Sequence, residues 1–177
     1  MATTFNDIAS PNVDTKYFKI YMDMADGADT ESWELQGRGI ASWTIEQNQD
    51  FTVDSDVLGY NDFTRGTPKP QQSVEIAIRK GSKLGGLLFD AFYSGDTSKL
   101  NSLKILQKFE MVDATPEGEC KARVQEDCAI NINQFMGEAE GKLKFAIDIY
   151  YSNNITLGHM AKVDASPVTF TPDDPKV

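Results

Sequence analysis

Histidine is nearly absent: the chain has one, His159. A Ser-His-Asp relay would have to rest on it, and no GxSxG elbow accompanies it. His159 therefore reads as a surface or strand-end residue. Cysteine is almost as scarce, with Cys120 and Cys128 alone. Both fall in one strand-like segment, where the intervening extended chain spans roughly 26 Å. A disulfide tolerates a Cα separation of only about 7 Å, so the two read as unpaired, buried or half-buried thiols. There is no CxxC, and zinc would need further ligands. No apolar run approaches the ~20 residues of a membrane-spanning helix. The opening stretch, MATTFNDIASPNVDT, lacks a basic n-region and an apolar h-region. It does not read as a signal peptide, and synthesis in a cytoplasm is the expectation. Positive charge is the remaining deficit: 17 Lys and Arg face 27 Asp and Glu, a net charge of -10. That is the wrong sign for neutralising phosphates, so nucleic-acid binding is not expected.

What is present is alternation. The 177 residues suit one domain. KYFKIYMDM (16–24) alternates as a half-buried strand, and SWELQGRGIASWTIEQNQDF (32–51) is strand-like around an interruption at Gly37 and Gly39. VEIAIR (74–79), SLKILQKFEMVD (102–113), ECKARVQEDCAININQ (119–134) and KLKFAIDIYY (142–151) continue the pattern, and NNITLGHMAKV (153–163) finishes it. The period changes once. In GSKLGGLLFDAFYSG, residues Leu84, Leu87, Leu88, Ala91 and Phe92 recur at helical spacing, with Ser82 to cap the start and Gly95 to end it. The expected fold is mainly β: an antiparallel β-sandwich with one flanking α-helix around residues 82–93. Residues 1–15 read as an N-terminal arm, 52–72 as a long loop, and 164–177 as an extended C-terminal tail, all within one domain spanning 1–177. A loop of that length in a compact domain implies a job.

The motifs that suggest chemistry fail on their spacing. DSDVLGY (54–60) opens like a calcium loop, but counting from Asp54 puts Leu58 at the fifth position and Arg65 at the twelfth, where carboxylates belong. RKGSKLGG has a phosphate loop's glycine spacing, yet Leu87 and Leu88 stand where Lys and Ser/Thr are required. The carboxylate pairs Asp54/Asp56, Glu138/Glu140 and Asp173/Asp174 lie in turn-like, solvated stretches. No catalytic, metal or cofactor site is expected. A long central loop, two extended termini and an acidic surface instead describe a subunit that exchanges segments with its neighbours. A β-sandwich that binds a ligand is the other class left open.

The order of these elements resembles the major tail protein, or tail tube protein, family of long-tailed bacteriophages. The likeness runs over residues 16–163. It is carried by a strand region WELQGRGIASWTIEQN, a long loop holding VLGYNDFTRG and the helix KLGGLLFDAFY. After these come KFEMVD and the late strands CAININ and KLKFAIDIYYSNNITLGHMAKV. The resemblance implies a structural virion protein of the tail, made in the host bacterial cytoplasm. Six copies would form a ring, and rings would stack into a tube. The tube would assemble around a tape measure protein, meet tail-end proteins and later pass DNA. No membrane and no enzyme activity are implied. The same fold serves phage-derived bacteriocins and secretion machines, which is the nearest alternative. Six copies would bring about -60 of charge to a ring, so DNA would slide through without sticking. Thr44, Glu46 and Asn48 with Lys144, Ala146 and Asp148 are the candidate lumen-facing residues. Lys142 and Lys144 depart from a purely acidic lining. Asp54, Asp56, Tyr60, Asn61, Phe63 and Arg65 are the candidate inter-subunit loop residues.

Overall fold

The alternation of KLKFAIDIYY is realised as written. Phe145, Ile147 and Ile149 are buried, while the residues between them face outward. The computed structural model describes residues 15–25, 31–37, 40, 42, 44–137, 141–164 and 166–173. In chain order the strands are β1 (Phe18–Asp23), β2 (Trp33–Leu35), β3 (Ile45–Glu46), β4 (Phe51–Ser55), β5 (Asn61–Arg65) and β6 (Gln71–Ala77). The helix α1 (Lys83–Ser94) follows, then β7 (Leu103–Asp113), β8 (Glu119–Gly137), β9 (Leu143–Tyr150), β10 (Ile155–Ala161) and β11 (Thr171–Pro172).

Every pairing is antiparallel. The long strand β8 belongs to two layers. Its first half pairs with β7 and β10, and its second half with β9. The switch falls at Glu126–Cys128, where Asp127 has φ 58° and the β7–β8 register slips. A strand that changes layer at a bulge makes the corner of a sandwich. One layer is β2-β1-β7-β8-β10-β11, and the other is β3-β6-β9-β8.

Between the layers lies the main core. β1 contributes Ile20 and Met22, β7 gives Leu103 and Ile105, β6 gives Val74 and Ile76, and β9 gives its three buried residues. Helix α1 closes this core with Leu84, Leu88 and Ala91. The helix begins where expected because its orphan amides are met. Ser82 Oγ accepts from Gly85 N at 3.0 Å. The Glu34 carboxylate, reaching over from β2, accepts from Lys83 N at 3.0 Å and Leu84 N at 3.2 Å. Gly95, at φ 72°, ends it with a left-handed turn. The expected helix is thus present one residue further along.

A second, smaller core lies on the opposite face of the first layer, where Tyr21, Leu106, Cys120, Ala122, Val124 and Met160 gather. Val168 and Phe170, from the C-terminal segment, cover it. Gly158 permits the closeness of that cover. A Cβ there would stand 2.6 Å from the Phe170 ring and 2.2 Å from the Thr171 carbonyl oxygen. Cys120 and Cys128 are both buried, unpaired thiols, as expected.

Candidate assembly surfaces

Three surfaces stand out once the layers are built. The first is the outer face of the second layer. Cross-strand register puts Glu46 beside Gln71, Gln71 beside Tyr150, Ser73 beside Asp148, and Asp148 beside Asn131. Asp148 is tied into this face: Ser73 Oγ donates to one carboxylate oxygen and Asn133 Nδ2 to the other at 2.9 Å. Those hydrogen bonds hold its carboxyl below the usual carboxylate range. Lys144 Nζ lies 3.5 Å from Glu75, so its charge is offset within the face. Asn48, just past β3, reaches Gln71 at 3.5 Å. The residues singled out on two separate strand segments, Glu46 and Asn48 with Lys144, Ala146 and Asp148, therefore join one polar surface through β6. Thr44 is exposed immediately before β3.

The second surface corrects an expectation. The segment 52–72 is not a structureless loop. β4 and β5 pair as a hairpin, set between β3 and β6, which themselves pair. The ribbon continues through Lys69 N to Gln47 O at 2.9 Å and Gly66 N to Asp50 O at 2.9 Å. Thr52, Thr64 and Val53 are good strand formers whose pattern was hidden by the neighbouring glycine and prolines. Every residue of β4 and β5 is exposed. Period-two alternation gives the hairpin two unlike faces. Phe51, Val53, Phe63, Asn61 and Arg65 share one; Thr52, Asp54, Asp62 and Thr64 share the other. Phe51 and Phe63 stack with ring centroids 5.7 Å apart, and Arg65 lies over Phe51. At the tip, Asp56 Oδ1 accepts from Leu58 N at 2.8 Å and Tyr60 N at 2.9 Å. The carboxylate that suggested calcium is thus occupied in shaping a turn. Val57, Leu58 and Tyr60 project into solvent around it.

No family model matches the chain, and no curated protein matches it. Solved structures do. A chain from the tail of an empty GTA particle, determined with C6 symmetry, superposes with TM-score 0.51 at 13% identity, covering 82% of this chain and 98% of its own. A sheath/tube terminator of an extracellular contractile injection system gives TM-score 0.49 at 11% identity, over 87% of this chain and all (100%) of that one. An anti-feeding prophage tube terminating cap gives 0.48 at 13% identity, over 89% and 98%. The chain shares its fold with that GTA tail chain.

The third surface lies at the C-terminal segment, and here too the structure adds to the sequence reading. The part of 164–177 that is described lies on its own chain and is not detached from it. β11 pairs with β10 through Gly158–Pro172 and His159–Thr171. His159 Nδ1 meets Glu119, and its Nε2 stands 4.0 Å from Asp173, so the lone histidine links β10 to β8 and to this segment. Asp164 anchors the start. The side chain of Lys108, on β7, is fully buried (0% exposed) and lies 2.8 Å from Glu110, 2.9 Å from Asp164 and 2.8 Å from the Lys162 carbonyl. Lys19 joins the same two carboxylates, and Tyr21 Oη donates to Asp164 at 3.2 Å. Burial alone would raise the Asp164 pKa. Hydrogen bonds from Lys19 and Lys108 more than reverse this and bring it down to about 2. Burial pushes the neighbouring Cys120 thiol up to about 11, which leaves it unreactive.

Sequence reasoning missed this charge cluster. Alternation placed Lys108 and Glu110 with Leu106 and Val112, and only that mixed company hinted at a covered face. Of the candidate inter-subunit residues, the structure gathers Phe63, Arg65 and Asn61 on one hairpin face, sets Asp54 on the other, and leaves Asp56 and Tyr60 at the tip.

Proposed function

We propose that this chain is the subunit of a phage-like tail tube, a structural virion protein that assembles with copies of itself into stacked rings. The observation that carries the reading is the exposed hairpin. An acidic protein with a well-filled core holds Phe51, Val53, Val57, Leu58, Tyr60 and Phe63 out in solvent on a two-stranded ribbon. Isolated two-stranded hairpins are marginal in water, and an apolar ribbon of this kind is what a second copy would bury. The tail-protein fold and the sequence resemblance support the same reading, with six copies per ring.

In that assembly the polar face of β3, β6, β9 and β8 lines the channel. Glu46, Asn48, Lys144 and Asp148 contribute to it, with Thr44 at its edge. Its side chains include amides, hydroxyls and the carboxylates of Glu46 and Asp148, and Lys144 is offset by Glu75. Such a lining offers DNA no cluster of cations to hold its phosphates, so DNA passes without specific binding. The hairpin, including Asp54, Asp56, Tyr60, Asn61, Phe63 and Arg65, contacts neighbouring copies. A tape measure protein occupies the channel before DNA, and tail-end proteins close the tube. The protein is made in the host bacterial cytoplasm and resides in the virion tail.

Negative-stain electron microscopy of the purified protein across a concentration series tests this. Hollow rings or tubes with sixfold end views are the expected result. Monodisperse particles at every concentration, together with saturable binding of a small ligand, would replace this reading with that of a binding module.

A further inference from the structure

The C-terminal segment is held to its own chain by unlike means at its two ends. At the near end Asp164 sits against Lys19 and the fully buried Lys108. Its carboxyl, brought down to about 2, keeps its charge at any pH above about 4, so this clamp does not release near neutrality. In the middle, Val168 and Phe170 cover the second core, with Phe170 in the notch that Gly158 leaves open. The far end is thinner. β11 pairs with β10 at two positions only, and one of them is Pro172, which has no amide to donate. The Asp173 amide then donates to the Leu157 carbonyl at 2.9 Å. Asp173 is the last described residue; Asp174 after it, like Glu138 and Glu140, lies outside the described residues.

His159 stands where that thin end meets the sheet. Lys121 on β8 and Thr171 on β11 are directly across from it, and Glu119 and Asp173 are the next residues on the same face. Arg123, further along β8, turns to Gln107 at 2.7 Å, and Lys162 is engaged with Asp113. Lys121 is exposed. The imidazole thus lies between two carboxylates, Glu119 at Nδ1 and Asp173 at Nε2. A ring nitrogen against a carboxylate must carry a proton, because two acceptors cannot share a hydrogen bond. The Glu119 contact therefore places a proton on Nδ1. In the neutral ring Nε2 is then a bare lone pair turned towards the Asp173 carboxylate. Only the imidazolium, protonated at both nitrogens, serves both partners.

We propose that the far end of the C-terminal segment is a proton-controlled latch: doubly protonated His159 ties Asp173 to β10 and β8, and loss of the Nε2 proton frees Asp173 and lets the segment lift from that end. Imidazole changes charge between about pH 5 and pH 8, above the range in which carboxylates titrate. The cation exists on the acid side of that window, so the latch holds there and loosens as pH rises. Opening draws Phe170 out of the Gly158 notch and uncovers the second core, while Asp164 stays attached.

Amide exchange followed by nuclear magnetic resonance from about pH 5.5 to about pH 8.5 tests it. Protection of the Asp173 amide is taken relative to an unstructured chain at the same pH, which removes the chemical dependence of exchange on hydroxide. His159 is 16% exposed and Asp173 58% exposed, so the effect is that of one partly exposed ion pair, about a threefold loss of protection across the window. The Ile78 amide, bonded to the Leu143 carbonyl at 2.8 Å in the other layer, keeps its protection. Asp173→Asn and His159→Gln each flatten the response, the second at the alkaline value. Wild-type protection that is flat across the window overturns the latch. A slope that survives Asp173→Asn, or one that the Ile78 amide shares, overturns it as well.

Discussion

Replacing Asp164 by asparagine removes one of the two carboxylates that neutralise Lys108. The lysine side chain is fully buried (0% exposed), whereas Asp164 is 50% exposed and Glu110 stays 2.8 Å away. Stripping the partner from a fully buried ion pair costs about 3–5 kcal/mol. Half exposure and the remaining carboxylate reduce this to about 1–2 kcal/mol at pH 7. For a chain of this length that lowers the melting temperature by about 2–8 °C. The pH dependence has a definite sign. The folded pKa of Asp164, about 2, lies below the unfolded value of about 3.9. Its contribution is therefore complete above about pH 4 and fades as pH falls towards 2. Thermal unfolding of both proteins between pH 7 and pH 2.5 reads the effect. The gap between them is widest at neutral pH and closes through the acid window. Adding Lys108→Met to Asp164→Asn recovers part of the lost stability, since the buried lysine charge is gone and Glu110 keeps Lys19 at 2.9 Å. An unchanged melting temperature at pH 7, or a gap that persists undiminished at pH 2.5, would refute the assignment of Asp164 as the partner of Lys108.

Two further outcomes follow from the packing. Gly158→Ala puts a methyl group into the Thr171 carbonyl and the Phe170 ring, so the segment 166–173 lifts from the second core while the main core holds. Hydrogen exchange in that segment and alkylation of Cys120 both rise, and protection equal to wild type would show that the close approach is not needed. Leu88→Asp buries an unpaired carboxylate on the inner stripe of α1, at a site that is 0% exposed, and costs more than about 4 kcal/mol. Circular dichroism should find no cooperative melt, and a folded, soluble variant would place that helix face elsewhere.

Local periodicity was enough for much of the fold. Phe145, Ile147 and Ile149 alternate so cleanly that β9 could be read residue by residue, because a strand with one covered face imposes period two on its own sequence. The single change of period at Leu84–Phe92, bracketed by Ser82 and Gly95, marked α1 to within one residue at each end. The spacing of DSDVLGY likewise ruled against a calcium loop without reference to any partner. What periodicity leaves open is which strands meet. Glu46 and Asp148 share a face only because β6 lies between them in register, and register is a property of pairing across long separations. The hairpin was hidden because its alternation is short, only Phe51, Val53 and Phe63 marking the apolar face, and because nothing within its own chain buries either face. Lys108 was hidden for the opposite reason. β7 is covered on one side by α1 and the second layer, and on the other by a C-terminal segment that begins more than fifty residues later. Burial on both faces removes the alternation, and only the tertiary structure shows that a lysine placed there finds two carboxylates waiting.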